Sequence, residues 1–278
     1  MKYRHAFHAG NFADVMKHAA LAAVLARLTE KDRPLFLLDT HAGRGRYALP
    51  ESGGEAAAGI VRALAANLDG AHPALARYLA LVRGMNEGPR LTAYPGSPMI
   101  EAAFMRAGDR AAFCELLDGE ADALRALFRG DARVGVHCRD GFEALAALLP
   151  PPEKRGLALI DPPYEEQERD FERVAAALVA AAARWPQGVL MAWYPIKLGA
   201  VAARLHRRIV EAGTRRVLAA ELCVHPDDSR AGLNGSGLVI VNPPWQLEAD
   251  LRQILVTLHG ALAEGGAGRC DVVRLAGE

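Results

Sequence analysis

The sequence has little cysteine, no net charge and no long apolar run, and each of these absences excludes a class of protein. Its four cysteines are far apart and form no Cys-x-x-Cys pair. They predict neither a disulfide framework nor a zinc knuckle, and they favour a reducing cytoplasm. No stretch approaches the roughly 18 apolar residues that a membrane-spanning helix needs, and the amino terminus lacks an apolar signal segment. We therefore expect a cytoplasmic protein with no membrane partner.

The charge balance does not reveal a substrate. Lys and Arg together number 33, and so do Asp and Glu, whereas many nucleic-acid binders carry a basic excess that displaces the counterions on phosphates. Local basic pairs occur, but such pairs are most often solvated surface. They are Lys2/Arg4, Arg44/Arg46, Lys154/Arg155, Arg207/Arg208 and Arg215/Arg216.

Short apolar segments alternate with amphipathic, alanine-rich segments along most of the chain. With 278 residues, 51% of them hydrophobic, the chain can bury a large core. The apolar segments predict seven strands, at residues 35–39, 111–116, 134–138, 157–161, 189–193, 217–223 and 238–242. The helical segments between them indicate an α/β fold with a mainly parallel sheet. Asn11 can cap a first helix.

One segment breaks this alternation. Residues 49–90 contain two helix-like stretches and no clear strand, and breaker-rich linkers flank these stretches. We therefore predict an inserted helical subdomain at residues 49–90, and a main domain built from residues 1–48 and 91–278.

The first predicted strand runs into a glycine-containing turn, Thr40-His41-Ala42-Gly43-Arg44-Gly45. Such a turn lets a ligand approach the backbone, although a tight connection alone would also use glycine. Glu115 and Asp140 follow the next two strands. In Rossmann-type sheets a carboxylate at the first of these positions accepts ribose hydroxyls, and Asp140 could accept a hydrogen bond from an adenine amine. The alternative for both is a helix cap, which fits Asp140 better than Glu115.

The sharpest motif, Asp161-Pro162-Pro163-Tyr164, follows the fourth strand. Two consecutive prolines stiffen the turn, remove two N–H donors and leave carbonyl groups as acceptors. Asp161 and the Pro162 carbonyl could accept both N–H bonds of an exocyclic base amine, which is a weak nucleophile. Tyr164 could stack on the base. The alternative is a proline-terminated strand with a packed tyrosine.

A similar motif, Asn242-Pro243-Pro244-Trp245, follows the seventh strand. If that strand is antiparallel, the motif lies at the opposite edge from the ligand crevice and is structural. Asn242 would then cap a helix, with Pro243 in its first turn.

Together these motifs resemble the RlmJ family of 23S ribosomal RNA adenine-N6 methyltransferases, and the similarity runs essentially end to end. The matching stretches are Tyr3 to Asn11, Asp14-Val15-Met16-Lys17-His18, Leu38 to Gly43, Tyr94 to Pro98, Asp140-Gly141-Phe142, Asp161 to Tyr164, Trp193-Tyr194-Pro195 and Val241 to Trp245. The resemblance implies a Rossmann-like class I methyltransferase sheet of seven strands, the last antiparallel, with a helical insertion. It also implies S-adenosyl-L-methionine as cofactor, S-adenosyl-L-homocysteine as product, no metal, and a monomer that binds 23S rRNA before full ribosome assembly.

Roles for individual residues follow from the same resemblance. Asp161 would be catalytic, beside Pro162 and Tyr164, and Tyr3 and Tyr164 would contact the substrate. The cofactor pocket would be lined by His18, His41, Gly43, Ser97, Glu115, Asp140, Gly141 and Asp161.

The resulting hypothesis is N6-methylation of one adenine of 23S rRNA, flipped into the Asp-Pro-Pro-Tyr pocket. A DNA adenine-N6 or cytosine-N4 methyltransferase stays open as an alternative, because the motif serves either nucleic acid. A NAD-dependent oxidoreductase could use the same strand-turn-helix scaffold, but it gives the Asp-Pro-Pro-Tyr motif no role. A module that only binds RNA is disfavoured, because acidic strand ends repel phosphate.

Overall fold

An eight-stranded sheet with helices on both faces dominates the structure, a computed structural model that describes residues 8–49, 57–88, 90–198, 201–230 and 232–277. The helices are α1 (Phe12–Thr29), α2 (Ala58–Ala65), α3 (Pro73–Gly84), α4 (Ser97–Phe104), α5 (Asp118–Leu127), α6 (Gly141–Leu148), α7 (Gln167–Arg184), α8 (Val201–Glu211) and α9 (Leu247–Leu262). The strands are β1 (Phe36–Asp39), β2 (Arg46–Ala48), β3 (Ala93–Pro95), β4 (Arg110–Glu115), β5 (Val134–Cys138), β6 (Gly156–Ile160), β7 (Val189–Ile196), β8 (Val217–Cys223), β9 (Gly235–Val241) and β10 (Arg269–Ala276).

The strand order of the main sheet is β10-β8-β9-β7-β6-β1-β4-β5. The five strands from β5 to β7 in this order are parallel, and β9 lies antiparallel between β7 and β8. All seven predicted strands form, and the seventh is antiparallel as predicted. The sheet is therefore the Rossmann-like class I methyltransferase sheet that the resemblance implied.

The predicted count of seven strands was one short. The eighth strand, β10, pairs antiparallel with β8 at the edge of the sheet. Val272 is its one buried residue. The strand therefore lacks the continuous apolar run from which the other strands of the sheet were predicted. Its charged residues are typical of an edge strand, where they oppose pairing with another chain.

The two helices predicted between residues 49 and 90 are present as α2 and α3. A short antiparallel sheet of β2 and β3, which the sequence did not predict, brackets them. Ile60, Leu75 and Tyr78 from these helices join the same buried cluster as α1. The division into a separate helical subdomain and a main domain stays a prediction.

Helix α1 carries polar residues into the core. Asn11 caps it as predicted, with its side-chain oxygen accepting from the Asp14 N–H at 2.9 Å. The helix is buried on nearly all sides, so Asp14, Lys17 and His18 are at most 4% exposed. Within the described ranges no helix is long and apolar enough to cross a membrane.

The second Pro-Pro motif lies at the opposite edge of the sheet from Asp161, but Asn242 does not cap a helix as predicted. Its side chain donates to the carbonyls of Pro186 and Gly188 at 2.9 and 3.0 Å, and α9 begins only at Leu247. Its φ of 53° lies in the left-handed region, which asparagine tolerates. Asn242 therefore anchors the turn before β7.

Candidate active site

Four neighbouring parallel strands end in a carboxylate at one edge of the sheet, which we call the carboxyl edge. In the order β5, β4, β1 and β6, these residues are Asp140, Glu115, Asp39 and Asp161. Adjacent strands lie roughly 4.8 Å apart, so the four side chains follow one another along the place where such sheets bind ligands. The sequence singled out three of them for the site and missed Asp39.

A buried lysine lies at this edge. The Lys17 ammonium is 2.5 Å from Asp161 Oδ2 and 2.9 Å from Asp14 Oδ1, and 5% of its side chain is exposed. It also lies 5.7 Å from the centroid of the Trp193 ring. Burial lowers the pKa of Lys17, but the carboxylates of Asp14 and Asp161 outweigh this effect and raise the pKa above its ordinary value. Lys17 is therefore charged, and it fixes the position of Asp161.

Sequence reasoning gave no function to Asp14 or Lys17. A signal was present, because Asp14 and Lys17 are three residues apart in a helix whose other positions are mostly apolar. Charged residues are almost never fully buried unless they are paired. A lysine in such a helix therefore implies acidic partners, but only the fold shows that one of them is Asp161.

Asp39 is fully buried. The Ser97 hydroxyl donates to its Oδ2 at 2.6 Å, and the His41 N–H donates to its Oδ1 at 3.1 Å. Burial raises the pKa of Asp39 to about 7 in spite of these two hydrogen bonds, with a further increase from Asp161 and a decrease from Lys17. Ser97, predicted to line the cofactor pocket, thus contacts the carboxylate at the centre of the row.

Glu101 adds a further carboxyl group beside Asp39. It lies one turn after Ser97 on α4 and is fully buried. Neither of its carboxyl oxygens has a hydrogen-bond partner in the described part of the chain. Burial, followed by the charge of Asp39, raises the pKa of Glu101 well above its ordinary value. Carboxyl groups therefore outnumber cations in this region.

Glu115 joins the glycine turn to the end of β4. Its Oε2 accepts from the Gly43 N–H at 3.0 Å, and its Oε1 accepts from the Leu117 N–H at 2.8 Å. Gly43 has a φ of 59°, a conformation that favours glycine. Each carboxylate oxygen keeps a lone pair for a further donor, and the predicted contact of Glu115 with ribose stays a prediction.

Asp140 is a helix cap, which was the alternative interpretation for it. Its Oδ1 accepts from the N–H groups of Phe142 and Glu143 at 2.8 and 3.1 Å, and Arg173 pairs with Oδ2 at 2.8 Å. Capping leaves room for a further contact, so its predicted role in cofactor binding stays a prediction.

Gly141 and His41 lie where α6 meets the turn after β1. A Cβ at Gly141 would lie 2.0 Å from the Thr40 carbonyl oxygen, so the close approach requires glycine. The His41 ring contacts Phe142 edge-on, with 5.2 Å between ring centroids. Burial lowers the pKa of His41 to about 4, so the ring is neutral near pH 7.

Tyr164 points into the core rather than toward the carboxyl edge. It is 4% exposed, its hydroxyl donates to the Trp193 carbonyl at 2.6 Å, and its ring centroid lies 4.8 Å from that of Phe171. The structure thus shows the packed tyrosine of the alternative interpretation. Stacking on a base, as predicted, would require the ring to leave this packing. The Pro162 carbonyl accepts no hydrogen bond from the described residues.

His18 is held by two buried tyrosines. Its Nδ1 lies 2.8 Å from the Tyr94 hydroxyl, which lies 2.8 Å from the Tyr78 hydroxyl. Tyr78 belongs to α3 and Tyr94 to β3, so a buried hydrogen-bond chain connects the predicted insertion with α1. The Tyr94 hydroxyl donates to Nδ1 in one tautomer of the His18 ring and accepts from it in the other.

The contacts described above do not test two of the sequence predictions, the substrate contact of Tyr3 and the absence of a metal. Tyr3 lies outside the described residues, and its contact with the substrate stays a prediction. Among the residues that the structure describes, no three His, Cys, Asp or Glu side chains are arranged to hold a metal ion.

We expect the Asp39→Asn variant to change how stability depends on pH. Folding raises the pKa of Asp39 from 3.8 to about 7, so the stability that its neutral form provides is present at low pH and is lost as the pH rises through about 7. Between about pH 5 and about pH 8 the wild type should lose about 2 to 3 kcal/mol of unfolding free energy that the variant keeps. Urea unfolding measures this difference, with the exposed Asp122→Asn as control. Equal losses in wild type and Asp39→Asn would contradict the burial of the charge.

We also expect Tyr78→Phe and Tyr94→Phe to alter the His18 ring. Losing the Tyr94 hydroxyl removes the contact to Nδ1, whereas losing the Tyr78 hydroxyl removes only the next link. The ¹⁵N chemical shift of His18 Nδ1 should therefore change in Tyr94→Phe and change less in Tyr78→Phe. The His41 shifts provide the control. Unchanged His18 shifts in both variants would contradict the hydrogen bond between Nδ1 and the Tyr94 hydroxyl.

Known proteins resemble this chain over nearly its full length. The family described as "Ribosomal RNA large subunit methyltransferase D, RlmJ" matches residues 32–275. The "Ribosomal RNA large subunit methyltransferase J" of Escherichia coli (strain K12) is 39% identical over 276 residues, which cover 98% of each chain. The protein of the same name from Haemophilus influenzae is 40% identical over 277 residues, again 98% of each chain. A crystal structure of a Legionella pneumophila protein aligns with a TM-score of 0.87 at 35% identity, covering 96% of this chain and 98% of the other.

The end-to-end match in sequence and the strand order of the sheet agree, so the resemblance is confirmed, and this chain belongs to the RlmJ family of ribosomal RNA large subunit methyltransferases.

Proposed function

We propose that this protein transfers a methyl group from S-adenosyl-L-methionine to N6 of one adenine in 23S rRNA. The family and the names of the two relatives support methylation of large-subunit ribosomal RNA. The observation that carries the finer proposal is the position of Asp161, which lies between the Lys17 ammonium and a Pro-Pro turn at the end of β6.

The residues at the carboxyl edge fit a cationic cofactor. S-adenosyl-L-methionine carries a sulfonium and an ammonium group, whereas NAD carries a negative pyrophosphate. Among the described residues, Asp39 and Glu101 have no ion-pair partner, and the buried Lys17 ammonium beside Asp161 is shared with Asp14, so carboxyl groups exceed cations there. A bound cation would relieve this imbalance, and a pyrophosphate would increase it. This argument favours S-adenosyl-L-methionine over the NAD alternative.

The predicted pocket residues supply complementary contacts for such a cofactor. Glu115 and Asp140 lie at the ends of β4 and β5 and would hold its adenosine part through their remaining lone pairs. His18, His41, Gly43, Ser97 and Gly141 lie on α1, on the turn after β1 and at the starts of α4 and α6, and would complete the pocket. When bound, the cofactor supplies an electrophilic methyl group.

Asp161 and Pro162 would orient the amine that receives the methyl group. Lys17 engages Oδ2 of Asp161, which leaves Oδ1 to accept one N–H of the amine, and the Pro162 carbonyl accepts the other. These two hydrogen bonds oppose delocalisation of the nitrogen lone pair into the ring. The amine loses one proton as it gains the methyl group, and the Asp161 carboxylate is the acceptor placed to take it.

The proposal includes flipping of the base. It does not include stacking of the base on Tyr164 in the conformation that the structure describes. An amine inside a duplex cannot reach a carboxylate at a strand end, so the adenine must leave its stack. Trp193 is the partly exposed aromatic residue beside Lys17. RNA is favoured over DNA by the family to which the chain belongs.

Transfer of tritiated methyl groups from S-adenosyl-L-methionine to protein-free 23S rRNA tests the reaction, with duplex DNA in parallel. We expect label in N6-methyladenosine of the RNA, and Asp161→Asn should lower kcat by about 10² to 10⁴-fold because a group that orients and accepts the proton is lost. The exposed Asp227→Asn is the matched control. Label on DNA alone would replace the substrate, and no label on either nucleic acid would contradict the proposal.

Variants of Lys17 separate its positioning role from its role in folding. Lys17→Met removes the buried cation that Asp14 and Asp161 share, so we expect it to lose about 3 to 5 kcal/mol of stability as well as activity. Adding Asp14→Asn removes one of these carboxylates and should restore much of the stability while kcat stays low, because Asp161 still lacks its partner. Urea unfolding and the methyl-transfer assay measure the two effects. Recovery of kcat together with stability would contradict the positioning role.

A further inference from the structure

Basic residues line the edge of the sheet opposite to the candidate active site, which we call the amino edge because the parallel strands begin there. Backbone hydrogen bonds join the strand starts into a row: Ala111 N–H to Arg133 C=O, Arg110 N–H to Leu35 C=O, Phe36 N–H to Arg155 C=O, Asn242 N–H to Arg216 C=O and Arg216 N–H to Gly277 C=O. With strands about 4.8 Å apart, the row across eight strands is about 34 Å long.

Eight cationic side chains near these strand starts make no ion pair with any described residue. All but Arg155 are exposed. From β5 across to β8, they are Arg129, Lys31, Arg33, Lys154, Arg155, Arg184, Arg215 and Arg216. Three carboxylates of this edge are paired with other arginines, Asp109 with Arg106, Glu153 with Arg110 and Asp131 with Arg133. The amino edge therefore carries a surplus of positive charge.

The Arg155 guanidinium is only partly satisfied by the described residues. Its Nη1 is buried without an acceptor in the described ranges, and its Nη2 reaches only the Leu28 carbonyl, at 3.1 Å. Burial lowers the pKa of Arg155, and the charges of Arg106 and Arg33 lower it further, whereas Asp109 raises it. An anion bound at this edge would relieve the repulsion.

An exposed aromatic ring lies within the same row. Trp245 is 84% exposed and follows two prolines in the turn that Asn242 anchors. Arg216 reaches the Pro243 carbonyl of this turn at 3.4 Å. A nucleobase can stack on a tryptophan ring while arginines bind the neighbouring phosphates. An acidic peptide would use the cations and leave the ring without a role.

We infer that the amino edge is a second RNA-binding surface, where the eight unpaired cations hold phosphates and Trp245 stacks on an unpaired base. This inference rests on the proposed RNA substrate. The row of carboxylates at the carboxyl edge repels phosphate, so the cations of the amino edge are placed to supply electrostatic affinity that this row opposes. The longest parallel strand, β7, has eight residues and spans roughly 26 Å. Only a long RNA can therefore reach both edges at once.

Binding of two RNAs by fluorescence anisotropy tests the surface. One RNA is the full protein-free 23S transcript, and the other is a short hairpin cut from it around the adenine that the methyl-transfer assay labels, or around any adenine if none is labelled. In the variant Arg33→Gln/Lys154→Gln/Arg215→Gln, the Kd for the long RNA should rise about tenfold or more. The slope of log K against log salt should become shallower by about 2 to 3, because about 0.7 to 0.9 is lost for each phosphate contact. Hairpin affinity, kcat on the hairpin and the KM for the cofactor should stay within about twofold of wild type.

The matched control replaces three exposed arginines that already pair with acids on helices, Arg125→Gln/Arg169→Gln/Arg204→Gln. It should leave binding of the long RNA unchanged. Trp245→Ala should weaken binding of the long RNA without changing the salt slope, because the ring carries no charge. Equal losses in both triple variants, or none in the first, would overturn the inference. If polyglutamate competes with the long RNA and Trp245→Ala binds this RNA normally, the surface would instead be a binding site for an acidic protein.

Binding is measured without methyl transfer, so the two proposals can fail separately. Specific loss of long-RNA binding in a protein that methylates neither RNA would support the surface and contradict the proposed reaction. Normal methylation of both RNAs with unchanged binding in all variants would support the proposed reaction and contradict the surface.

Discussion

The candidate site depends on one buried interaction, the Lys17 ammonium held between the carboxylates of Asp14 and Asp161. It joins residues 144 positions apart in sequence and so connects α1 to the end of β6. A charge in this core is tolerable only because both partners are close and because Asp14 is itself held by the Gly10 N–H at 3.1 Å. The interaction fixes Asp161 where the parallel strands end, which is the place that the fold offers to a ligand.

The zero net charge of the chain conceals a separation of charge across the sheet. Carboxylates follow four adjacent strands at the carboxyl edge, and unpaired cations precede the strands at the amino edge. The first arrangement suits a cationic cofactor and repels phosphate, while the second attracts phosphate. A protein with this distribution can combine an acidic reaction centre with affinity for RNA, provided that the RNA extends beyond that centre.

Sequence reasoning predicted seven strands, and six of them are largely buried apolar runs, because burial on both faces leaves a direct trace in composition, while β5 is only partly buried. It missed β10, which buries only Val272, and the three-residue strands β2 and β3. It expected Tyr164 at the site because a motif gives the order of residues and not the direction of a ring. Asn242 was misjudged for a related reason, since its hydrogen bonds reach a turn more than fifty residues away in sequence.

The residues that matter most at the site were the hardest to identify for the same physical reason. Asp161 was singled out from its own motif, but Lys17 acquires its meaning only from a partner on a distant strand. Asp39 became notable only when its burial and its contact with Ser97 were visible. Local patterns therefore gave the elements and several of the carboxylates, and tertiary contacts gave the electrostatics.

The most direct test of this account is the affinity for S-adenosyl-L-methionine, S-adenosyl-L-homocysteine and NAD, measured by calorimetry between about pH 6 and about pH 8. The pKa of Asp39 is raised to about 7, and a bound cation favours its ionised form, so affinity for the methionine cofactor should increase as the pH rises through that value. The increase should be smaller for the homocysteine product, which lacks the sulfonium charge, and it should disappear in Asp39→Asn. NAD should not bind. Binding of NAD, or an affinity for S-adenosyl-L-methionine that is independent of both pH and Asp39, would contradict the claim that the carboxyl edge selects a cation.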